Sequence, residues 1–325
     1  MGWWQVDADT LADSRFAVSP LAETVGALKT LHRGTAPHPG ERAWLDDHLP
    51  AYRARLAEDP VTAPLIRAAL GRTWTADFLT PTPTGEDGPG GFPTEVAGVR
   101  DTRPEAARSD LLASLGGPLP AVLHRDDLPE RAAALLEWVW ERTVAPSWPR
   151  RRGVIEADIV ARAARGGRDG WAAALEGMGR GRQWLGDSRL QINTRANPPR
   201  DIVGARLLFV PVTPGHGWVS WHAPHRYAIV YPCSGTLADQ GGAVAVPEAL
   251  GALLGTARAR VLVLLGTPKS TTHLVALTGQ GLGSVGRHLR VLLDAGLIGR
   301  RRAGRSVLYY RTETGEAVAA GRGGG

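Results

Sequence analysis

Apolar residues between positions 256 and 294 recur every three to four residues, which is the spacing of one face of an α-helix. The pattern predicts two helices, a short glycine-bearing turn and a third helix over 282–294. One stripe of the third helix is expected to be buried, and it comprises Leu282, Val285, Leu289 and Leu292. The outward positions are then Ser284, Arg287, His288 and Val291, with Arg290 beside them.

After residue 294 the pattern changes to that of a β-hairpin. Gly296 ends the helix, an extended segment runs over 298–302, the chain turns at Ala303-Gly304, and a second strand covers 306–311. Four arginines lie on this hairpin with only small residues between them: Arg300, Arg301, Arg302 and Arg305. Three helices followed by a basic hairpin predict a winged helix-turn-helix domain over 243–320, in which the third helix enters a DNA major groove.

The rest of the chain predicts an α+β domain over 1–240. Helical spacing favours helices over 21–31, 41–56, 60–70, 128–144 and 154–164, and a further short helix over 247–254 leads into the winged domain. Pro- and Gly-rich residues 80–91 predict a loop. Short β-type runs at 189–194, 205–212, 217–222 and 227–231 predict a small antiparallel meander. The domain boundary is expected near residue 240.

Charge is concentrated in the C-terminal part of the chain. Residues 256–325 contain 11 Lys and Arg against 3 Asp and Glu, a net charge of +8. Because the whole chain carries +6, residues 1–255 carry −2. A local positive charge of this kind favours a polyanionic partner, and double-stranded DNA is the partner we expect.

Other signals narrow the class of protein. No apolar run approaches the ~18 residues of a membrane span, and no basic leader precedes one, so we expect a soluble, cytoplasmic protein without a membrane partner. A single cysteine, Cys233, excludes an internal disulfide and fits a reducing compartment. No phosphate loop, nucleophile elbow or His-Glu-x-x-His motif is present, so neither an enzyme nor a cofactor is expected.

The motifs of the C-terminal domain resemble those of ArsR-type (arsenic-repressor-like) bacterial regulators. The resemblance covers 256–312 and rests on Val285-Gly-Arg-His-Leu289, on 292–298 with its Ala-Gly-Leu-Ile turn, and on Gly304-Arg-Ser-Val-Leu-Tyr-Tyr310. Segments at 16–21 and 76–81 also resemble the long N-terminal extension of some actinobacterial members. The resemblance implies a dimeric repressor that binds an inverted-repeat operator through helix 282–294 and wing 298–311, with Tyr310 among the wing residues at the DNA.

Two departures from the family pattern bear on function. Gly286 stands where the family usually carries a hydroxyl residue that would contact a phosphate, and Gly283 precedes it in the same helix. The Cys-x-Cys pair of metal-sensing members is absent from 271–277, where His273 is the one metal-ligand type. The segment after the wing offers barely two helical turns, so residues 1–240 are expected to supply much of the dimer contact.

Alternatives remain open for the N-terminal domain. It could sense a metal through donors such as zinc prefers, namely His216, His222, His225 and Cys233. It could also bind a small-molecule effector in an apolar pocket lined by Trp138, Trp140, Trp218 and Trp221. A structural role for these residues, and a protein-interaction scaffold, are the remaining readings.

Overall fold

The structure, a computed structural model, describes residues 1–36, 39–85, 91–175, 178–179, 181–195, 197–233, 246–266, 269–303 and 306–319. It describes the backbone alone at 39–40, 164–165, 167–170, 172–173, 272–273, 276, 301–303 and 306. The chain forms two compact units: an N-terminal unit, Met1–Trp148 with Leu175–Ser234, and a C-terminal unit, Pro149–Ala174 with Gly235–Gly325. The boundary predicted near residue 240 lies outside the described residues.

Helices make up most of the N-terminal unit. They are α1 (Ala8–Ala12), α2 (Pro20–Arg33), α3 (Pro39–Ala57), α4 (Thr62–Ala69), α5 (Gly91–Arg100), α6 (Pro104–Leu115) and α7 (Leu128–Val139). Short 3-10 turns occur at Asp77–Leu79, Ala121–Leu123 and Ala145–Ser147, and one π turn at Trp140–Val144. The helices predicted over 21–31, 41–56, 60–70 and 128–144 are confirmed in part or whole, whereas α5 and α6 were not anticipated.

Helix α2 is the central helix of this unit. Ser19 caps it, because its Oγ accepts a hydrogen bond from the Ala22 N–H at 2.9 Å. Every residue from Leu21 to Leu31 is buried, so this part of the helix has no solvent-exposed face. A helix enclosed on all sides must also bury its polar residues, and Glu23 and Lys29 are among them.

Among the described residues of the N-terminal unit, eight strands form two sheets. They are β1 (Gly2–Gln5), β2 (Arg15–Phe16), β3 (Gln183–Gly186), β4 (Arg189–Asn193), β5 (Arg200–Asp201), β6 (Arg206–Val212), β7 (Trp218–His222) and β8 (Arg226–Pro232). The first sheet has the order β3-β4-β1-β5 and the second the order β2-β6-β8-β7.

The four predicted strands exist, but the antiparallel meander is wrong. Strand β4 belongs to the other sheet, and β8 inserts between β6 and β7, parallel to β6 and antiparallel to β7. The reason lies in burial: β6 and β8 are apolar on successive residues and buried on both faces, as central strands of a covered sheet are. The unit is nonetheless a mixture of helices and small sheets, in agreement with the α+β class.

The C-terminal unit combines helices with a small sheet. Helix α8 (Trp148–Leu175) supplies its first segment, and the later elements are α9 (Glu248–Leu254), α10 (Thr256–Leu264), β9 (Lys269–Ser270), α11 (Thr271–Thr278), α12 (Leu282–Asp294), β10 (Ile298–Ala303), β11 (Ser306–Arg311) and α13 (Glu313–Ala319). Strands β10 and β11 form an antiparallel hairpin, and β9 pairs with β11. The core joins α10, α11, α12 and the hairpin through Leu262, Leu274, Leu289 and Ile298.

Helix α12 ends as its sequence predicts. Gly296 has φ 68°, a left-handed conformation that glycine adopts without a Cβ penalty. The N–H groups of Gly296 and Leu297 then donate to the carbonyls of Leu293 and Leu292. This cap reverses the chain into β10. Across both units, no helix in the described part of the chain is long and apolar enough to cross a membrane.

Candidate functional site

The predicted outer face of α12 is exposed in the structure. Arg287 and Arg290 are exposed, Ser284 and His288 are half-buried, and Val291 is 40% exposed. Val285, Leu289 and Leu292 form the buried stripe, as predicted. Leu282 does not join it, because α12 begins at this residue and its first turn extends past the core, which leaves Leu282 63% exposed.

Side-chain hydrogen bonds connect polar residues on the outer face of α12. The Ser284 hydroxyl donates to the Gln280 side-chain oxygen at 3.2 Å and lies 3.4 Å from His288 Nε2. Burial, together with the positive charges of Arg258 and Arg287, lowers the pKa of His288. His288 is therefore neutral at pH 7 and can both donate and accept hydrogen bonds beside two guanidinium groups. Arg258, on α10, was not predicted to belong to this face.

The hairpin presents one described arginine next to an aromatic side chain. Arg300 is exposed, and its backbone pairs with Tyr309 across the hairpin. Tyr310 is also exposed, and its ring packs over Gly299, where a Cβ would lie 2.6 Å from the ring. The side chains of Arg301 and Arg302 lie outside what the structure describes, and Arg305 lies outside the described residues altogether.

One arginine of the hairpin has a structural role that the sequence did not reveal. The Arg311 Nε donates to the Leu262 carbonyl at 2.7 Å, and a second guanidinium nitrogen donates to the Val263 carbonyl. Both carbonyls lie in the last turn of α10, where they also accept hydrogen bonds from the backbone N–H groups of Leu265 and Gly266. Arg311 therefore stabilises the attachment of the hairpin to α10 and is not free to contact a ligand with those two groups.

The four candidate metal ligands do not converge. His216 Nδ1 lies 2.9 Å from the Arg33 guanidinium, Cys233 is buried, and the rings of His222 and His225 are 6.4 Å apart. Among the described residues, no three His, Cys, Asp or Glu side chains are close enough together to hold a metal ion.

The tryptophans proposed as a pocket lining also separate. Trp138 and Trp140 pack against the hydrophobic core, with Trp140 stacked on Phe92 at a centroid distance of 4.7 Å. Trp221 meets Trp74 edge to face at 5.3 Å. Of the four, Trp218 lines a cavity, and that cavity is mainly polar.

Comparison with known proteins adds no assignment to this geometry. The chain matches no protein-family model, no curated protein and no solved structure.

Proposed function

We propose that the chain is a sequence-specific DNA-binding regulator whose residues 246–319 form a winged helix-turn-helix of the ArsR type. The order of elements supports this proposal: α10, the short strand β9, α11, a turn at 279–281, α12, and the β10–β11 hairpin paired to β9. In this arrangement α12 is the recognition helix and the hairpin is the wing.

The observation that carries the proposal is the exposed polar face of α12. Ser284, Arg287 and His288 lie within one helical turn of each other. On the opposite face of the helix, Val285, Leu289 and Leu292 are buried in the core. An arginine can bond a guanine edge with two N–H groups, while Val291 can contact a thymine methyl. The face therefore offers both polar and apolar groups to base edges.

The wing supplies the charge for phosphate contacts. Arg300 is exposed on β10, and Arg258 and Arg287 make the adjoining helical surface positive. Phosphate contacts position a protein on a duplex without selecting sequence, whereas contacts to base edges select it. Substitutions in the wing should therefore weaken binding to all duplexes, whereas substitutions on α12 should reduce the preference for the operator.

Dimerisation and repression are part of the same proposal. Helix α13 has seven residues, which is too short to form an extensive helical dimer interface of its own. A palindromic operator nevertheless requires two recognition helices about 34 to 36 Å apart, or a multiple of that spacing. Residues 1–240 would then supply much of the dimer contact, and a dimer bound over a promoter would act as a repressor.

The test is binding of the full-length protein to a fluorescent duplex from the region upstream of its own gene, compared with a shuffled duplex of equal length. We expect saturable, sequence-selective binding with two chains per duplex, and loss of selectivity in Arg287→Gln. Arg103→Gln, at an exposed position in the N-terminal unit, is the matched control and should bind normally. Equal affinity for both duplexes, unchanged in Arg287→Gln, would rule out base reading by α12.

A further inference from the structure

One face of the buried helix α2 contacts the loop between β6 and β7 at successive helical turns. The Glu23 carboxylate accepts hydrogen bonds from the N–H and hydroxyl of Thr213, and Gly26 lies against Pro214. One turn later, Lys29 Nζ lies 4.2 Å from the ring centroid of Trp218. The spacing of three residues places one face of α2 along this loop and extends it toward Lys29.

A cavity opens at the end of this face, within the N-terminal unit. Its volume is about 270 Å³, and an adjoining cavity of about 320 Å³ shares Lys29, Arg33 and Arg72 with it. Residues 71–75 form one wall, and β4 with the residues after it forms another. Lys29 Nζ donates to the Thr75 hydroxyl at 2.9 Å and so joins α2 to the first wall.

Cations dominate the lining of this cavity. Five of its side chains are basic: Lys29, Arg33, Arg72, Arg182 and Arg195. Asp77 is the one carboxylate among the described lining residues, and its nearest charge influences are Asp110 and Arg200. No described carboxylate lies within 4 Å of Lys29, Arg33 or Arg182. A buried positive charge without a counter-ion, as on Lys29, is costly, so a protein that retains it has a use for it.

Two of the cations are shielded from solvent: Lys29 is buried and Arg182 is half-buried. Lys29 is only 7% exposed, and its burial near Arg33 and Arg182 lowers its pKa to about 7. Burial also lowers the pKa of Arg182 to about 10, and its buried Nε has no hydrogen-bond partner among the described residues. The Arg182 guanidinium lies against Gly217, where a Cβ would be 2.5 Å from it.

Neutral side chains that can donate hydrogen bonds also line the cavity. Asn193 and Asn197 line the cavity beside Arg195, and Thr75 lies opposite them. Arg33 is held in place by His216, whose burial lowers its pKa to about 4 and so keeps it a neutral acceptor at physiological pH. Guanidinium groups bond tetrahedral oxyanions with two N–H groups at a time, and an ammonium group adds a point charge.

We propose that this cavity binds a small molecule carrying a phosphate or diphosphate group, held by Lys29, Arg33 and Arg182. A ligand with two or more negative charges matches the excess of cations better than a monoanion does. The volume leaves room for only a small organic part next to the anion, since typical drug-sized sites occupy about 300 to 1,000 Å³. A DNA backbone is excluded by depth, because Lys29 lies too far inside the unit for a duplex phosphate to reach it.

Thermal unfolding of the full-length protein with and without inorganic pyrophosphate tests the proposal. We expect pyrophosphate to raise the unfolding temperature saturably, and calorimetry to give one site per chain with Lys29 intact. Sodium chloride at equal ionic strength should not reproduce the shift, and citrate should give a smaller one. An equal shift with citrate would overturn the phosphate assignment, and an equal shift with sodium chloride would overturn the site.

Three variants separate a ligand site from a structural role. Lys29→Met should raise the unfolding temperature of the free protein, because it removes a buried charge without a counter-ion, and it should abolish the pyrophosphate shift. Arg33→Gln, at an exposed end of α2, should fold normally and weaken pyrophosphate binding about tenfold or more. Arg103→Gln should bind like the wild-type protein. Normal pyrophosphate binding by both Lys29→Met and Arg33→Gln would overturn the proposal, whatever their stability. The outcome does not depend on DNA binding, so the two proposals fail separately.

Discussion

The guanidinium of Arg311 donates to the carbonyl of Leu262 at 2.7 Å and thereby joins the last strand of the hairpin to the C-terminal end of α10. A second carbonyl of the same helical turn, that of Val263, accepts from the same side chain. A cation at this end of a helix also has a favourable interaction with the helix dipole. Arg311 thus helps to fix the position of the hairpin relative to α10.

Arg311→Gln should destabilise the protein by about 1 to 3 kcal/mol, because charge-assisted hydrogen bonds to two helix carbonyls are lost. Urea unfolding followed by circular dichroism measures the change. Arg300→Gln, on the exposed face of the same hairpin, is the matched control and should leave stability within about 0.5 kcal/mol of wild type. Equal stability of the two variants would contradict the structural role of Arg311.

Arg300→Gln should instead change DNA binding. Loss of one phosphate contact should weaken binding to all duplexes and reduce the slope of log K against log salt by about one unit. Arg301, Arg302 and Arg305 are expected to behave similarly. An unchanged slope in every one of these wing variants would remove the hairpin from the DNA interface.

Arg287→Gln should have the opposite signature. If the Arg287 guanidinium bonds a base edge, its loss reduces the preference for operator over random DNA by about 1 to 3 kcal/mol. Replacement of the neighbouring His288 by Ala should act in the same direction. Competition titrations with operator and random duplexes measure the preference. Equal losses on both duplexes would mean that these side chains contact phosphates alone.

Helix α12 and the hairpin could be predicted because each has a local signal, whereas β9 was not predicted. Val285, Leu289 and Leu292 repeat at helical spacing, and Gly296 ends the helix through its own backbone conformation. Leu282 misled the prediction, since periodicity gives the face of a helix but not how far the core extends along it. The bonds of Arg311 were equally hidden, because nothing in a run of arginines distinguishes one that reaches back to α10.

In the N-terminal unit, the sequence predicted elements but not how they come together. Four strands were predicted in it, but the order of strands in a sheet depends on which strands become buried. The sequence predicted that consecutive strands pair as hairpins, whereas β8 inserts between β6 and β7. The basic cavity was missed because Lys29, Arg72 and Arg182 are distant in sequence and converge only through the fold. One local signal existed: Lys29 is one of two lysines in a chain with 38 basic residues, and it lies between Leu28 and Leu31 in a buried helix.

Lys29 should make stability depend on pH. Its pKa is about 7 in the folded protein and 10.5 as a free side chain, so the unfolded chain binds more protons between these values. The free energy of unfolding should therefore rise with pH from about 7 to 10.5, and the penalty of the buried charge is fully present below pH 7. Burial is the largest cause of this shift, and the positive charges of Arg33 and Arg182 add to it.

Urea unfolding of wild type and Lys29→Met at pH 6, 8 and 10 measures this contribution, because His216, whose pKa Lys29 also helps to lower, has a pKa of about 4, below this range. The variant should be the more stable of the two at pH 6, by about 1.4 kcal/mol for each unit of pKa shift, and the difference should shrink toward pH 10. A difference that is independent of pH would show that Lys29 titrates normally.

Gly286 offers a way to strengthen the α12 surface. It is exposed, and no atom lies within 4 Å of the position that a Cβ would occupy. Gly286→Ala should therefore stabilise the helix by about 1 kcal/mol, the difference in helix propensity between the two residues.

Gly286→Ser should stabilise the helix less, but its hydroxyl stands where ArsR-type regulators usually carry one and should donate to a DNA phosphate. We expect Gly286→Ser to bind all duplexes more tightly than Gly286→Ala, although it is the less stable of the two. Fluorescence anisotropy at two salt concentrations compares them, and Gly283→Ser, one turn earlier on the same open helix, controls for a hydroxyl at any exposed position. Tighter binding by Gly286→Ala than by Gly286→Ser would show that helix stability, rather than a phosphate contact, limits affinity at this position.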